Sequence, residues 1–449
     1  MASLYTNFIT RCVFPVHEKL KKHDTVAVKN AMEQSQWWSP EKLSDYQNQR
    51  LQSFLRSVNE HVPYYQRLFT DLGLDVDSIK TAADLQKLPF LTKPVIRENS
   101  DDLKADNASG LARFNTGGSS GEPLVFYIGN ERVSHDVAAK WRATRWWDVD
   151  IGDREIVLWG SPIELGSQDY VRLVRDKLLR TKLLPAFEMT EAKLDGFIEE
   201  IKSFRPKMLF GYPSAFALLA KHAAERNIQL NDLGIKVVFV TSERLYDHQR
   251  DVIEKTFACP VANGYGGRDA GFIAHQCPSG SLHITSEDII VEIVDEQGHV
   301  LPAGESGEIV VTHLATQHYP FIRYKTGDIG VLSDELCSCG RGLPVLAEIE
   351  GRTTDFIVAQ DGTLMHGLAL IYIVRDLEGV EQFKIVQESR DKTRVLVVVN
   401  ANFDEQKELQ IKTGFQQRLG QTVEIVIDKV ADIAAERSGK MRYVISHAL

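Results

Sequence analysis

Helical segments and short apolar runs alternate between Arg132 and Val240. Arg132 to Trp147 precedes Glu155 to Trp159, Glu191 to Phe204 precedes Met208 to Phe210, and Ala215 to Arg226 precedes Lys236 to Val240. The run Val237-Val238-Phe239-Val240 has no polar face, so it suits a strand covered on both sides. Helices crossing between strands of one direction supply that cover, which predicts a multidomain α/β fold whose large N-terminal domain holds a parallel sheet. Upstream, residues 40 to 72 read as helix interrupted at Pro63. After about Ser281 the rhythm becomes period two in His283 to Ile284, Ile289 to Val294 and Glu308 to His313, predicting an antiparallel β subdomain. Beyond Arg352, strand-like Phe383 to Gln387 and Arg394 to Val399, helical Asp404 to Leu419 and strand-like Val423 to Ile427 predict a small α+β domain. The expected division is 1–354 and 355–449.

Composition narrows the function. The 449 residues carry 52 basic and 62 acidic side chains, a net charge of −10, which argues against general nucleic-acid binding. Five cysteines are too few for a secreted disulfide scaffold and point to a reducing, cytoplasmic setting. Charged residues interrupt Met1 to Lys22, so it does not read as a signal peptide, and no run reaches the roughly 18 apolar residues of a membrane span.

The segment Asn115 to Pro123, Asn-Thr-Gly-Gly-Ser-Ser-Gly-Glu-Pro, can converge backbone N–H groups and the hydroxyls of Thr116, Ser119 and Ser120 on an anion. No Gly-Lys-Ser/Thr follows and strand-like Leu124 to Ile128 comes next, so this is not a Walker A loop, which disfavours a P-loop kinase or ATPase. A polar hairpin turn and a phosphate cradle both fit, and a cradle needs a lysine from elsewhere. Three further clusters end in a carboxylate or lead to one: Gly264-Tyr265-Gly266-Gly267-Arg268-Asp269, Ile322 to Asp328, and Gly351-Arg352-Thr353-Thr354-Asp355. Near the end, Gly439-Lys440 puts a lysine on a glycine-softened loop.

In this order the motifs resemble those of the adenylate-forming superfamily of acyl-CoA synthetases and adenylation domains. Pro63-Tyr64-Tyr65, Gly211-Tyr212-Pro213-Ser214 and Cys337-Ser338-Cys339-Gly340 resemble the phenylacetate–CoA ligase branch, more narrowly its CapK-like members associated with surface-polysaccharide biosynthesis. The resemblance runs from about residue 35 to the C-terminus. It implies a mobile C-terminal domain and ATP with Mg²⁺ at the domain junction. A carboxylic acid would be activated as an acyl-adenylate and passed to an amine or thiol.

On this resemblance Thr116, Gly117, Gly118, Ser119, Ser120 and Gly121 cradle phosphates, and Lys440 supplies catalytic charge at the α-phosphate. Tyr265 and Gly266 face adenine, Asp328 binds the ribose hydroxyls, Arg352 reaches ribose or phosphate, and Asp355 is the hinge. Asp269 stands where the family usually has glutamate as the Mg²⁺ ligand. Ser242, an ATP-binding candidate near adenine, stands in Thr241-Ser242-Glu243, where the family often has Ser-Gly-Glu. Tyr212, Pro213 and Ser214 fall at the acyl pocket. For each residue there is a structural alternative: a solvated lysine, a sheet tyrosine, a turn-capping acid, a surface ion pair.

Cys277, His283, Cys337 and Cys339 form a Cys₃His set suited to structural Zn²⁺, within a zinc-bearing subdomain over about 277–345. Related phenylacetate–CoA ligases are similar at these positions and bind zinc there. The alternatives are four reduced core residues, or His275 as the imidazole.

The leading expectation is an AMP-forming carboxylate ligase. Residues 358–367 depart from the arginine-glycine loop that lines the pantetheine channel in phenylacetate ligases, which favours amide formation, as between an amino acid and a sugar acid. The competing expectations are a CoA ligase for an aromatic acid and a nucleotide-binding protein without turnover. CoA as acceptor and a homodimer stay open.

Overall fold

The computed structural model describes residues 3–115, 124–159, 170–186, 188–243, 245–349, 356–375, 377–433 and 444–448. The chain opens with α1 (Leu4–Phe8), a π-helical turn (Ile9–Val13), α2 (Phe14–Leu20) and α3 (Thr25–Ser35). Next come α4 (Pro40–His61), α5 (Pro63–Asp71) and α6 (Lys93–Glu98). Ser39 caps α4 by accepting from the Lys42 N–H, and Pro63 starts α5 where a missing N–H costs nothing.

The hairpin β1 (Ala112–Asn115) and β2 (Val125–Ile128) leads to α7 (Asn130–Arg145). Then follow β3 (Glu155–Trp159), α8 (Tyr170–Leu179), β4 (Thr181–Pro185), β5 (Glu188–Met189), α9 (Glu191–Phe204), β6 (Met208–Gly211), α10 (Pro213–Glu225), β7 (Val237–Thr241) and α11 (Asp247–Phe257). The antiparallel region comprises β8 (Val261–Gly267), β9 (Gly271–Gln276), β10 (Leu282–Ile284), β11 (Ile289–Val294), β12 (Ser306–His313), β13 (Phe321–Ser333) and β14 (Val345–Ile349).

The parallel and antiparallel regions are one sheet. Among the described residues eleven strands run in the order β11-β12-β13-β14-β10-β9-β8-β7-β6-β3-β4. The β8 strand is the joint, pairing parallel with β7 and antiparallel with β9. The period-two region therefore continues the parallel sheet and does not stand apart from it, because hydrogen bonding does not stop where the hydrophobic period changes. Every position of β6 and β7 is buried, as their unbroken apolar sequences require.

Beyond residue 355 lie β15 (Phe356–Val358), β16 (Leu364–His366), α12 (Leu368–Arg375), β17 (Val380–Ser389), β18 (Lys392–Val399), α13 (Glu405–Leu419), β19 (Glu424–Lys429) and β20 (Val444–Ser446). Strands β19-β18-β17-β20 form a four-stranded sheet with its own core around Phe383, Ile385, Val395, Ile411 and Phe415. The β15–β16 hairpin pairs with β5 across the chain, Leu364 opposite Met189. The sequence-based boundary at 354/355 falls in 350–355, outside the described residues.

Candidate adenylation site and Cys/His cluster

Three turns gather at the C-terminal edge of the parallel strands, the edge at which open α/β sheets bind ligands. The first follows β6. A side chain at Gly211 would place its Cβ 2.1 Å from the Leu158 carbonyl oxygen, so the strands reach the turn only with glycine there. Tyr212 stacks on Trp159, ring centroids 4.4 Å apart and 19° between planes, and Trp159 stacks on Phe210 at 6.0 Å. Pro213 opens α10, and the Ser214 hydroxyl donates to the Glu243 carboxylate, tying this turn to the one after β7. In that second turn Ser242 adopts φ 73°, the left-handed region that glycine enters freely. Ser242 thus holds a backbone conformation that residues with a side chain rarely adopt.

The third turn joins β8 to β9 and carries Asp269, with Tyr265 and Gly266 in the last residues of β8. A Cβ on Gly266 would lie 2.3 Å from the Gly271 carbonyl oxygen, so this tight approach requires its glycine. Tyr265 and Asp269 are four residues apart, as are Tyr324 and Asp328 in β13, and the two pairs exchange bonds. The Tyr265 hydroxyl donates to Asp328 Oδ2 at 3.1 Å, and the Tyr324 hydroxyl to Asp269 Oδ2 at 2.6 Å. Burial first, and then the Asp328 charge, holds the Tyr265 phenol well above its usual range, so it stays a donor. Asp269 Oδ1 also accepts from the Ala270 N–H at 3.1 Å. Sequence placed these residues on two separate motifs, and the fold brings β8 and β13, which are not neighbours in the sheet, close enough to make them one crossed brace.

Sequence reading missed the group behind this turn. Arg132 of α7, 2% exposed, donates Nη1 to the Asp269 carbonyl at 2.7 Å and Nη2 to the Arg268 carbonyl at 2.8 Å. Its Nε donates to Asp136 at 3.3 Å, while Asp136 Oδ1 accepts from the Phe272 N–H at 3.3 Å and lies 3.6 Å from His313 Nε2. Burial works against the Asp136 charge, but Arg132 and His313 outweigh it and hold the carboxyl below its usual range. The available signal was ionisable residues at helical spacing (Arg132, Asp136, and Glu131, His135, Arg142) on a helix bound to pack against a sheet. Arg268 Nη1 also donates to the Asn115 carbonyl at 3.3 Å, tying the turn to the end of β1, next to the glycine-rich segment.

Thr116, Gly117, Gly118, Ser119, Ser120, Gly121, Arg352, Asp355 and Lys440 lie outside the described residues.

Elsewhere on the sheet, Cys277, His283, Cys337 and Cys339 bring their ligand atoms within 4.8 Å of one another. Cys277 Sγ lies 3.6 Å from Cys337 Sγ, and His283 Nε2 lies 3.2 Å from Cys339 Sγ. His283 Nδ1 faces the Leu343 carbonyl at 3.2 Å, which turns Nε2 toward the thiols. Burial raises the Cys277 thiol to about 11 and lowers the His283 imidazole to about 4. His275, the rival imidazole, stacks against Phe272 at 5.4 Å and takes no part in the cluster.

Comparison with known proteins agrees with this arrangement. Residues 183–316 match the AMP-binding enzyme family model and residues 357–447 the CapK C-terminal domain model. Protein CapK of Staphylococcus aureus is 26% identical over 90% of this chain and 89% of its own. Phenylacetate-coenzyme A ligase of Thermus thermophilus is 28% identical over 71% of this chain and 72% of its own. A crystal structure of 2-hydroxyisobutyryl-CoA ligase in the thioesterification state is 21% identical, covering 92% of this chain and 91% of that one at a TM-score of 0.67, a likeness of fold.

Proposed function

The chain belongs to the adenylate-forming superfamily, in its phenylacetate–CoA ligase-like, CapK branch, and on that premise we propose how its residues divide the work. It is an AMP-forming ligase that joins a carboxylic acid to CoA or an amine. Asp328 would accept from the ribose hydroxyls while Tyr265, fixed through its own hydroxyl, would offer its ring to adenine. Thr116 to Gly121 would take the phosphates, with Lys440 and Arg352 adding charge where the α-phosphoryl group becomes more negative. Asp269 would hold Mg²⁺, which supplies charge neutralisation to the phosphates. Tyr324 orients its carboxylate through Oδ2 and the Ala270 N–H through Oδ1, and Arg132 grips its backbone carbonyl. Asp355 would act as the hinge. Tyr212, Pro213 and Ser214 line the acyl pocket, and Ser242 shapes its neighbouring turn.

The acceptor is an amine, and the product an amide of the kind that decorates surface polysaccharides, such as an amino acid joined to a sugar acid. Similarity to the CoA ligase of Thermus thermophilus covers 71% of the chain and that to CapK 90%, while residues 357–447 match the CapK C-terminal model. The β15–β16 hairpin supports the same reading: residues 356–367 contain no arginine or lysine to meet the phosphates of CoA. A second reading, a flat aromatic acid as the substrate, is favoured by the Trp159–Tyr212 stack.

Cys277, His283, Cys337 and Cys339 would hold one Zn²⁺. Three thiols and an imidazole backed by a carbonyl match its preferred donors, and four protein ligands leave it a structural role.

The crossed Tyr–Asp brace is the observation that carries the nucleotide assignment. The test is pyrophosphate release over uronic, amino, aromatic and fatty acids, each with CoA or amino compounds as acceptor. AMP and pyrophosphate with an amide product are expected. A thioester product would overturn the amine reading, and release of ADP would overturn adenylation itself.

A further inference from the structure

The N-terminal helix has a buried stripe and an exposed one, and only the buried stripe serves the fold. Thr6 donates to Asp153 Oδ1 at 2.8 Å, Thr10 to the Ile151 carbonyl at 2.7 Å, and Ile9 and Phe14 are buried. Opposite them stand Leu4 (91% exposed), Phe8 (56%), Val16 (60%) and Leu20 (80%), spaced by four or eight residues. Each four-residue step advances about 40° around an α-helix, so four steps would wind the stripe nearly halfway round. The π turn at Ile9–Val13, closed by the Phe14 N–H on the Ile9 carbonyl, takes back part of that drift and keeps these side chains on one face. On α8, Leu173, Val174 and Leu178 are exposed as well. Tyr5 links the two elements by donating to the Leu178 carbonyl at 2.9 Å, with the Arg180 guanidinium 3.6 Å from its ring centre.

Charge on this helix runs against the rest of the molecule. Arg11, Lys19, Lys21 and Lys22 are exposed, as is Lys177 of α8. Glu18, the single carboxylate of residues 3–23, is 4% exposed and turned inward onto His17, His23 and Thr25. The exposed side of a helix on a chain of net charge −10 thus presents apolar side chains and cations without a carboxylate. A two-fold contact between copies would set these cations against their own kind. An anionic bilayer surface instead takes apolar side chains into its acyl boundary and cations at its headgroups.

We propose that α1, the π turn and α2, with the adjoining face of α8, dock this enzyme on an anionic lipid bilayer without spanning it. Co-sedimentation of the full chain with vesicles of phosphatidylcholine, alone or with phosphatidylglycerol added, tests this. Binding to the anionic vesicles only is expected, weakened by salt. Lys19→Glu/Lys21→Glu/Lys22→Glu should weaken it at least about a hundredfold, since each basic residue near such a surface contributes roughly fivefold. Phe8→Ser/Leu20→Ser should also release the protein, with pyrophosphate exchange unchanged in both variants. Equal behaviour toward the two vesicles, or a lysine variant that binds like the parent, would overturn the proposal. So would a solution dimer that Phe8→Ser/Leu20→Ser dissolves, because the face would then be a contact between copies.

Discussion

The two halves of the central sheet are built on different physics. In the parallel half Val237, Val238, Phe239 and Val240 are all fully buried, and cohesion comes from non-directional apolar burial under helices. The antiparallel half buries charge as well. Arg142 donates to Glu287 at 2.5 Å, Ser35 to the same carboxylate oxygen at 2.6 Å, and Arg50 to Asp288 at 2.5 Å. His135 lies 2.6 Å from the other Asp288 oxygen, and Arg323 makes two bonds to Glu292 at 3.0 and 3.1 Å. Burial works against the Asp288 charge, but His135 and Arg50 outweigh it and hold that carboxyl well below its usual range. Such pairs add little net stability because desolvation offsets their attraction, yet they impose direction. The crossed Tyr–Asp brace ties the end of β8, the joint between the two halves, to β13 in the antiparallel half.

The sharpest way to break this contrast is to remove one partner of a buried pair. Arg142→Met should leave Glu287 without its cation and cost about 3–5 kcal/mol in urea unfolding, whereas Ile156→Val in β3 should cost only about 1 kcal/mol. Equal losses would show that the halves do not differ. A smaller effect is expected from the Cys/His cluster. Elemental analysis should find one zinc per chain, and Cys337→Ser with Cys339→Ser should abolish it and lower Tm by several degrees, since metal binding contributes folding free energy. An unchanged Tm in zinc-free protein would remove the cluster from the account.

At the junction, Tyr265→Phe should raise KM for ATP about tenfold while kcat changes less, the loss of one hydrogen bond to a charged group. Tyr324→Phe should instead shift the Mg²⁺ concentration required, because its partner is Asp269. Identical profiles for the two variants would show that the brace acts as one structural unit. The smallest effect concerns pH. Burial lowers His275 to about 3 against an ordinary value near 6.5, so between these limits the unfolded chain binds a proton that the folded chain refuses. Stability therefore falls as pH drops through that window, and His275→Phe should flatten the slope of Tm against pH.

Legible in the sequence were the apolar strands Glu155–Trp159, Met208–Phe210 and Lys236–Val240, the helices between them and the order of the site motifs, whereas Ile322–Asp328 reads as a turn and is part of strand β13. These are local properties: the side-chain period of a segment states which faces it buries, and glycines mark turns that other residues enter only under strain. The sequence also pointed to the four residues of the Cys/His set, while the choice between His275 and His283, paired opposite each other on β9 and β10, was decided by which imidazole lies within reach of the thiols. Tertiary structure alone joined the two sheet regions through β8 and paired Tyr265 with Asp328 and Tyr324 with Asp269, residues 63 and 55 positions apart. It also placed Arg132 behind the Asp269 turn. The physical reason is range. Burial periodicity is written within a few residues, but a hydrogen bond between strands that are not neighbours depends on how the whole sheet folds, which no local segment records.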